Sequence, residues 1–363
     1  GHRWVERWGW EEPDDGPLAH PGDLLAPPGL LPAGLCNVSA LRAAAGGGPL
    51  YLGERLGDRP WRDLSGFLVK HLSMPFLLRL LAERSPGLRM SRRLLNLGPH
   101  RGECLPGPPW DPANCLVFGA GGDGQMGGYP PDSELYGGVL IDSGPEALQE
   151  LLPRCAGRGD VVLVPEAVGP ENVTATLQAA WRRLPGPAGR EAEEDGAGGL
   201  GDLDLVKVDV DARQCDIVRA LVRGSPPVRP KVLHIEFSRF HPPPLAVPTD
   251  GPDHEGSSLA CFLDALGGAY GLLHVEFYNA VFVRRELLAQ ALPEALALDD
   301  REKWQLGYFC HPMARVLHAE LSEWQYARLG VDVRAWADPE LPLLTRSRWA
   351  AAFEGRFGYP SGR

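Results

Sequence analysis

Apolar positions along the chain change period in a repeating way. Leu203, Leu205, Val206, Val208 and Val210 form an almost continuous apolar run, the pattern of a strand buried on both faces. Directly after it, Ile217, Val218, Leu221 and Val222 recur at helical spacing. The same alternation is repeated elsewhere. Residues 94–97 read as a strand entering a glycine turn that runs to Gly102, and residues 138–141, 161–164 and 232–237 read as further strands. A helix is predicted from Asp111, the cap, and Pro112, the first helical position, to Phe118. Others are predicted over 145–152, 170–184 and 257–270. Residues 272–277 and 280–283 flank Tyr278-Asn279, a short hairpin link. Five strands alternating with helices and closed by a hairpin predict an α/β fold. Its sheet is doubly wound, Rossmann-like and mostly parallel, with the last strand antiparallel.

The flanks have weaker patterns. Residues 1–35, rich in Trp, Pro, Gly and acids, read as an irregular arm. Trp61, Leu64, Phe67, Leu68, His71 and Leu72, then residues 76–81, suggest one or two amphipathic helices. Residues 185–201 are low-complexity Gly, Ala and Glu and read as a solvated insertion. The tail from 284 onward reads as largely helical. The expected division is therefore an N-terminal extension, 1–92, an α/β domain, 93–288, and a C-terminal helical extension, 289–363.

Composition narrows the function classes. The 363 residues carry a net charge of −11, which argues against nucleic acid or an anionic membrane surface as partner. Lysine occurs only at 70, 207, 231 and 303; the other basic residues are arginine. Seven cysteines without a C-x-x-C pair predict neither a disulfide scaffold nor a zinc site. Asn37-Val-Ser and Asn172-Val-Thr are acceptor sequons. No apolar segment approaches the roughly 20 residues of a membrane span. The chain starts at Gly1, and an upstream leader, had one been removed, would place it in the secretory pathway or an organelle lumen.

The chemistry concentrates where the central strand becomes a helix, at Asp209, Asp211 and Asp216. In open α/β sheets this carboxyl edge is the ligand crevice. Asp211 and Asp216 also suit helix capping. His234 and Glu236 alternate on one face of the fifth strand, and His241 follows on a Pro-rich loop. Asp209, Asp211, His234 and Glu236 are the candidate catalytic residues. They could also hold a divalent cation, but no metal is assigned. There is no Gly-x-Ser-x-Gly elbow and no phosphate-binding Walker loop.

Several segments together resemble the FkbM-like S-adenosylmethionine-dependent methyltransferases, in particular a branch found in algae and other microbial eukaryotes. They are residues 204–222 with the double-Asp strand end, 234–245 with Pro242-Pro-Pro244, 257–261, and the hairpin at 272–285. Taken with the glycine turn at 94–102, the resemblance covers residues 94–287, about half the chain. It implies S-adenosylmethionine as cofactor and methyl transfer, in our reading to an oxygen of a small-molecule or glycan acceptor. It assigns cofactor binding to Asn96, Gly98 and Gly102 of the first loop, to Asp142 and Ser143, where an acid holds the ribose, to Glu166 and Ala167 near the adenine, and to Asp209. Pro99 and His100 depart from the usual small and polar residues of that loop. A rival glycine loop, residues 119–124, ends 18 residues before Asp142 but leads into no helix of useful length. Two other classes remain open at this level: a non-catalytic binding or scaffold protein that keeps the fold, and a nucleotide-dependent oxidoreductase, which the terminal hairpin disfavours.

Overall fold

Short apolar runs pair into a seven-stranded sheet in the computed structural model. It describes residues 59–62, 68–71, 74–100, 112–119, 135–185, 202–210, 213–238, 256–276, 278–296, 299–304 and 307. A separate antiparallel ladder comes first, β1 (Arg59–Arg62) with β2 (Leu68–His71). The helical spacing read from Trp61 to Leu72 is thus corrected to strands at 61–62 and 68–71, and residues 63–67 and 72 lie outside the described residues. Pro60 supplies no N–H to a helix, and Trp61 and Val69 favour extended backbone. The helical reading holds from α1 (Met74–Arg84) onward.

The main sheet then unfolds in the expected rhythm: β3 (Arg93–Leu97), α2 (Pro112–Phe118), β4 (Gly137–Ile141), α3 (Pro145–Cys155), β5 (Val161–Val164), α4 (Val173–Trp181), β6 (Leu205–Val208), α5 (Gln214–Arg223), β7 (Val232–Glu236) and α6 (Leu259–Leu266). The hairpin β8 (Tyr270–Glu276) and β9 (Asn279–Arg284) closes it, followed by α7 (Arg285–Ala291) and α8 (Asp300–Trp304). The strand order is β5-β4-β3-β6-β7-β9-β8. All pairings from β5 to β7 are parallel, and β9 runs antiparallel to both its neighbours. This is the expected methyltransferase-type Rossmann-like sheet. The chain builds outward from β3 to β5, then returns to the other side of β3 with β6. The topological switch point therefore lies between β3 and β6, where such sheets open a crevice at their carboxyl edge.

Both faces of the sheet are covered. Leu95, Ile141, Val206 and Ile235 pack with Leu177 of α4, Ile217 and Leu221 of α5 and Phe262 of α6. On the other face, Leu94, Leu140, Leu205 and Val283 pack with Leu77 and Leu81 of α1, Leu116 of α2, Leu151 of α3 and Leu288 of α7. Burial on two faces explains why the strands are continuous apolar runs rather than alternating ones.

One expectation about cysteine fails. Cys215 and Cys261, 46 residues apart, form a disulfide. Packing α5 against α6 makes neighbours of residues whose spacing in the chain carries no signal. Cys115 is disulfide-bonded as well.

Candidate functional site

The site is assembled by the turns that leave β3, β4, β6 and β7 at their carboxyl ends. Leu97 is followed by Gly98, whose backbone takes φ +75°. Its N–H donates to the carbonyl of Ile141 (3.0 Å), which bends the chain over the end of β4. A Cβ at this position would overlap the carbonyl oxygen of Asp209. Glycine is thus required twice, for the positive φ and for the close approach of the two turns.

Asp142, directly after β4, spends one carboxylate oxygen on the N–H of Gly144 (2.7 Å) and the other on the N–H of His100 (3.1 Å). Each oxygen keeps a further lone pair, so the carboxylate can still accept from two hydroxyls. Beneath the loop, Asn96 donates to Asn114 of α2 (3.1 Å), and Asn114 donates to the carbonyl of Pro99 (2.7 Å). The turn that lacks a Pro99 N–H is therefore held from below through its carbonyl.

At the centre stands a buried ion pair. The Lys207 ammonium, 1% exposed, lies 2.8 Å from Asp209 Oδ2 and donates to the carbonyl of Gly98 at 2.7 Å. One lysine thus ties the β3 turn to the β6 turn across the switch point. The Asp209 side chain is 20% exposed. Its Oδ2 also lies 3.4 Å from His100 Nε2. Burial alone would raise its pKa, but the Lys207 charge and hydrogen bonds with His100, Glu236 and Lys207 hold it well below the usual carboxylate range. Asp209 is a fixed anion. The bond between Asp209 and Glu236 needs a proton shared between two carboxyl groups.

The sheet register sets these groups in a row. Asn96 pairs with Lys207 and Lys207 with His234, so the three occupy one face of the sheet side by side. His234 is buried, and Glu236 lies at the end of β7. Asn96, Gly98, Asp142, Asp209, His234 and Glu236 are thus brought to one edge. Ser143 lies exposed beside Asp142, and Glu166 and Ala167 lie exposed on the turn after β5, two strands away from β3. Gly102, Asp211, His241 and residues 120–124 lie outside the described residues. Asp216 lies in the first turn of α5, where it pairs with Arg219 of the same helix. No cluster of three or more metal-binding side chains occurs among the described residues.

Sequence reasoning missed Lys207 and the reach of His100. The signal for the first was present: one of only four lysines in the chain, set inside an almost continuous apolar run. Lysine is a compact charge suited to a buried single-point contact.

No family model matches the chain, and no curated protein matches it. Among solved structures, it is similar to the [4+2]-cyclase SpnF at 15% identity, covering 79% of this chain and 87% of that one with a TM-score of 0.32. It is similar to a SAM-dependent methyltransferase from Aquifex aeolicus at 14% identity, covering 58% and 89% with a TM-score of 0.27. A third is the N-terminal domain of EvdMO1 in the presence of SAH and D-fucose, at 13% identity, covering 71% and 85% with a TM-score of 0.24.

Proposed function

We propose that the chain is an S-adenosylmethionine-dependent methyltransferase of FkbM-like type, acting on an oxygen of a small-molecule or glycan acceptor. The observation that supports this best is the Lys207–Asp209 pair bridging the Gly98 turn at the switch point, one strand from Asp142. The cofactor would supply a methyl group on a sulfonium cation. The chain's residues suit it: Gly98 permits close backbone approach, Asp142 has lone pairs free for two ribose hydroxyls, and Asp209 presents a permanent negative charge.

The low pKa of Asp209 refines its role. A carboxylate so acidic is a poor proton acceptor near neutral pH, because general-base efficiency is best when the pKa is near the working pH. Asp209 orients and balances charge. Of its neighbours, Glu236 already carries the proton of its bond to Asp209, so His234 is the group we assign to receive an acceptor proton. Methyl transfer itself needs no protein nucleophile, only an acceptor held in line.

Calorimetry with S-adenosylmethionine and with NAD tests the reading. Binding of the first and not the second is expected; a folded chain that binds neither ends the methyltransferase proposal. Asp142→Ala should weaken cofactor binding. Asp209→Ala should depress transfer by about 10²–10³-fold, the range for a preorganised electrostatic group in the transition state, with less effect on affinity. The reverse pattern would exchange the two roles.

One observation favours a second reading, a binding protein that keeps the fold without catalysis. His100 uses its N–H on Asp142 and its imidazole on Asp209, so the loop's own groups engage both acids. His100→Ala separates the readings. Gain of cofactor affinity would show that His100 closes the site, and loss would show that it belongs to the site.

A further inference from the structure

We propose that Asn172 is an N-glycan acceptor on a chain that folds in an oxidising compartment with Cys215 and Cys261 joined. The inference is independent of methyl transfer.

The triplet Asn172-Val173-Thr174 has the acceptor pattern, which requires a hydroxyl residue two positions on and no proline between. The fold places it at the surface turn where β5 gives way to α4. Val173 is fully buried and anchors the turn, while Asn172 and Thr174 are half-exposed on either side of it. Thr174 lines an open groove of about 600 Å³, with Pro170, Arg213 and Arg219 also on its walls. The acceptor nitrogen itself, Asn172 Nδ2, lies on the exposed side of the turn.

The hydrogen bonds of Asn172 tolerate the modification. Its Oδ1 accepts from the N–H of Gly169 (2.7 Å), and its Nδ2 donates to the carbonyl of Ala167 (3.1 Å) at the exposed side. In the transfer, Nδ2 bonds to the anomeric carbon of a lipid-pyrophosphate-linked oligosaccharide. The lipid pyrophosphate leaves with the bonding pair, and one amide proton is lost. Nδ2 keeps its second hydrogen for Ala167, and Oδ1 keeps Gly169. No contact of the turn is lost.

A separate observation points to the same compartment. Of the four described cysteines, Cys115, Cys215 and Cys261 are in disulfides and only Cys155 is free. Disulfides persist where N-glycans are added and are rare in reducing compartments. The Cys215 and Cys261 Cα atoms lie 6.1 Å apart, a spacing a disulfide spans without backbone movement. Both residues are buried between α5 and α6, within the core of one sheet face. Bond formation passes two electrons and two protons from the thiols to the disulfide of a dithiol oxidase, which is thereby reduced.

The test is peptide mapping of the full chain secreted from eukaryotic cells. The peptide holding Asn172 should carry a glycan that peptide N-glycosidase removes. Thr174→Ser should keep it, and Asn172→Gln should lose it. Before reduction, Cys215 and Cys261 should occur in one linked peptide pair. Mapping by peptide separates Asn172 from the sequon at Asn37. A secreted, folded chain with Asn172 wholly unmodified would overturn the proposal, as would alkylation of Cys215 and Cys261 without reductant. The wild-type map decides even if a variant is not secreted.

Discussion

Strand β6 has a lysine–aspartate pair at each end, and the two pairs are built for different purposes. At its start, Asp204 is fully buried. It accepts from Lys231 Nζ (2.6 Å) and from the backbone N–H groups of Ser91 (3.0 Å) and Arg92 (2.7 Å). Lys231 also reaches Asp202 at 2.6 Å. Every neighbour of this carboxylate is either the lysine or backbone, and the effect is to fasten the entrance of β3 to β6 and β7. At the other end, Asp209 is partly solvated, and its partners besides Lys207 are side chains with proton chemistry, His100 and Glu236. The first pair closes the bottom of the sheet, whereas the second leaves a charged oxygen facing the crevice. The same ion pair is a fastener at an amino edge and a candidate site at a carboxyl edge.

The comparison can be broken by removing each lysine. Lys231→Met leaves Asp204 without its counter-charge and without access to water. It should cost about 3–5 kcal/mol, the loss typical of orphaning one half of a buried pair. Lys207→Met strands a carboxylate that can still reach water or take up a proton, and should cost about 1–3 kcal/mol. It should also weaken cofactor binding, because the Gly98 carbonyl loses its anchor. Urea unfolding measures both. Equal losses would mean that the Lys207 pair is also a closed fastener and that the site assignment rests on the wrong end of the strand.

A slightly smaller effect probes the contact between the two turns. Gly98→Ala forces a side chain into a left-handed backbone and against the Asp209 carbonyl. The sum of strain and overpacking is about 2–5 kcal/mol. Gly157→Ala is the control: φ is +84°, but nothing lies within 4 Å of the added Cβ. It should lose only the backbone part, about 1–2 kcal/mol. If the two variants melt alike, the β3 and β6 turns do not press together in solution.

The contrast between the two ends also explains what could be read in advance. The strands of the main sheet were legible because parallel strands covered on both faces must be apolar throughout, and that pattern survives without an alignment. The ladder at 59–71 was not, since residues 61, 64, 67, 68 and 71 happen to fit helical spacing. Asp209 could be singled out because it stands at the end of an almost continuous apolar run that gives way to a helix. Its partner Lys207 could not be paired with Gly98, 109 residues earlier, because that contact exists only once β6 inserts beside β3. The alignment of Asn96, Lys207 and His234 is likewise a product of register between strands far apart in the chain. Cys215 and Cys261 follow the same logic. Elements are local and show in the pattern, whereas a site is made by the order in which elements come to lie side by side.

The smallest expected effect is the most specific to the open end, because it depends on the ionisation of Asp209 and the Glu236 carboxyl bonded to it. Its folded pKa lies below that of an unfolded aspartate, about 3.9. The folded state therefore binds fewer protons in that window, and stability rises with pH through it. The contribution is complete above the unfolded value and drains away as pH falls through the folded one, at about 1.4 kcal/mol for each tenfold increase in the acidity constant on folding. Asp209→Asn carries no such dependence, and every other carboxylate is common to both proteins. The difference in unfolding free energy between wild type and Asp209→Asn should thus shrink steadily from about pH 6 to about pH 2. A difference that stays constant would mean that Lys207 and His100 do not hold Asp209 as an anion, and a carboxylate without that hold could serve as a proton acceptor after all.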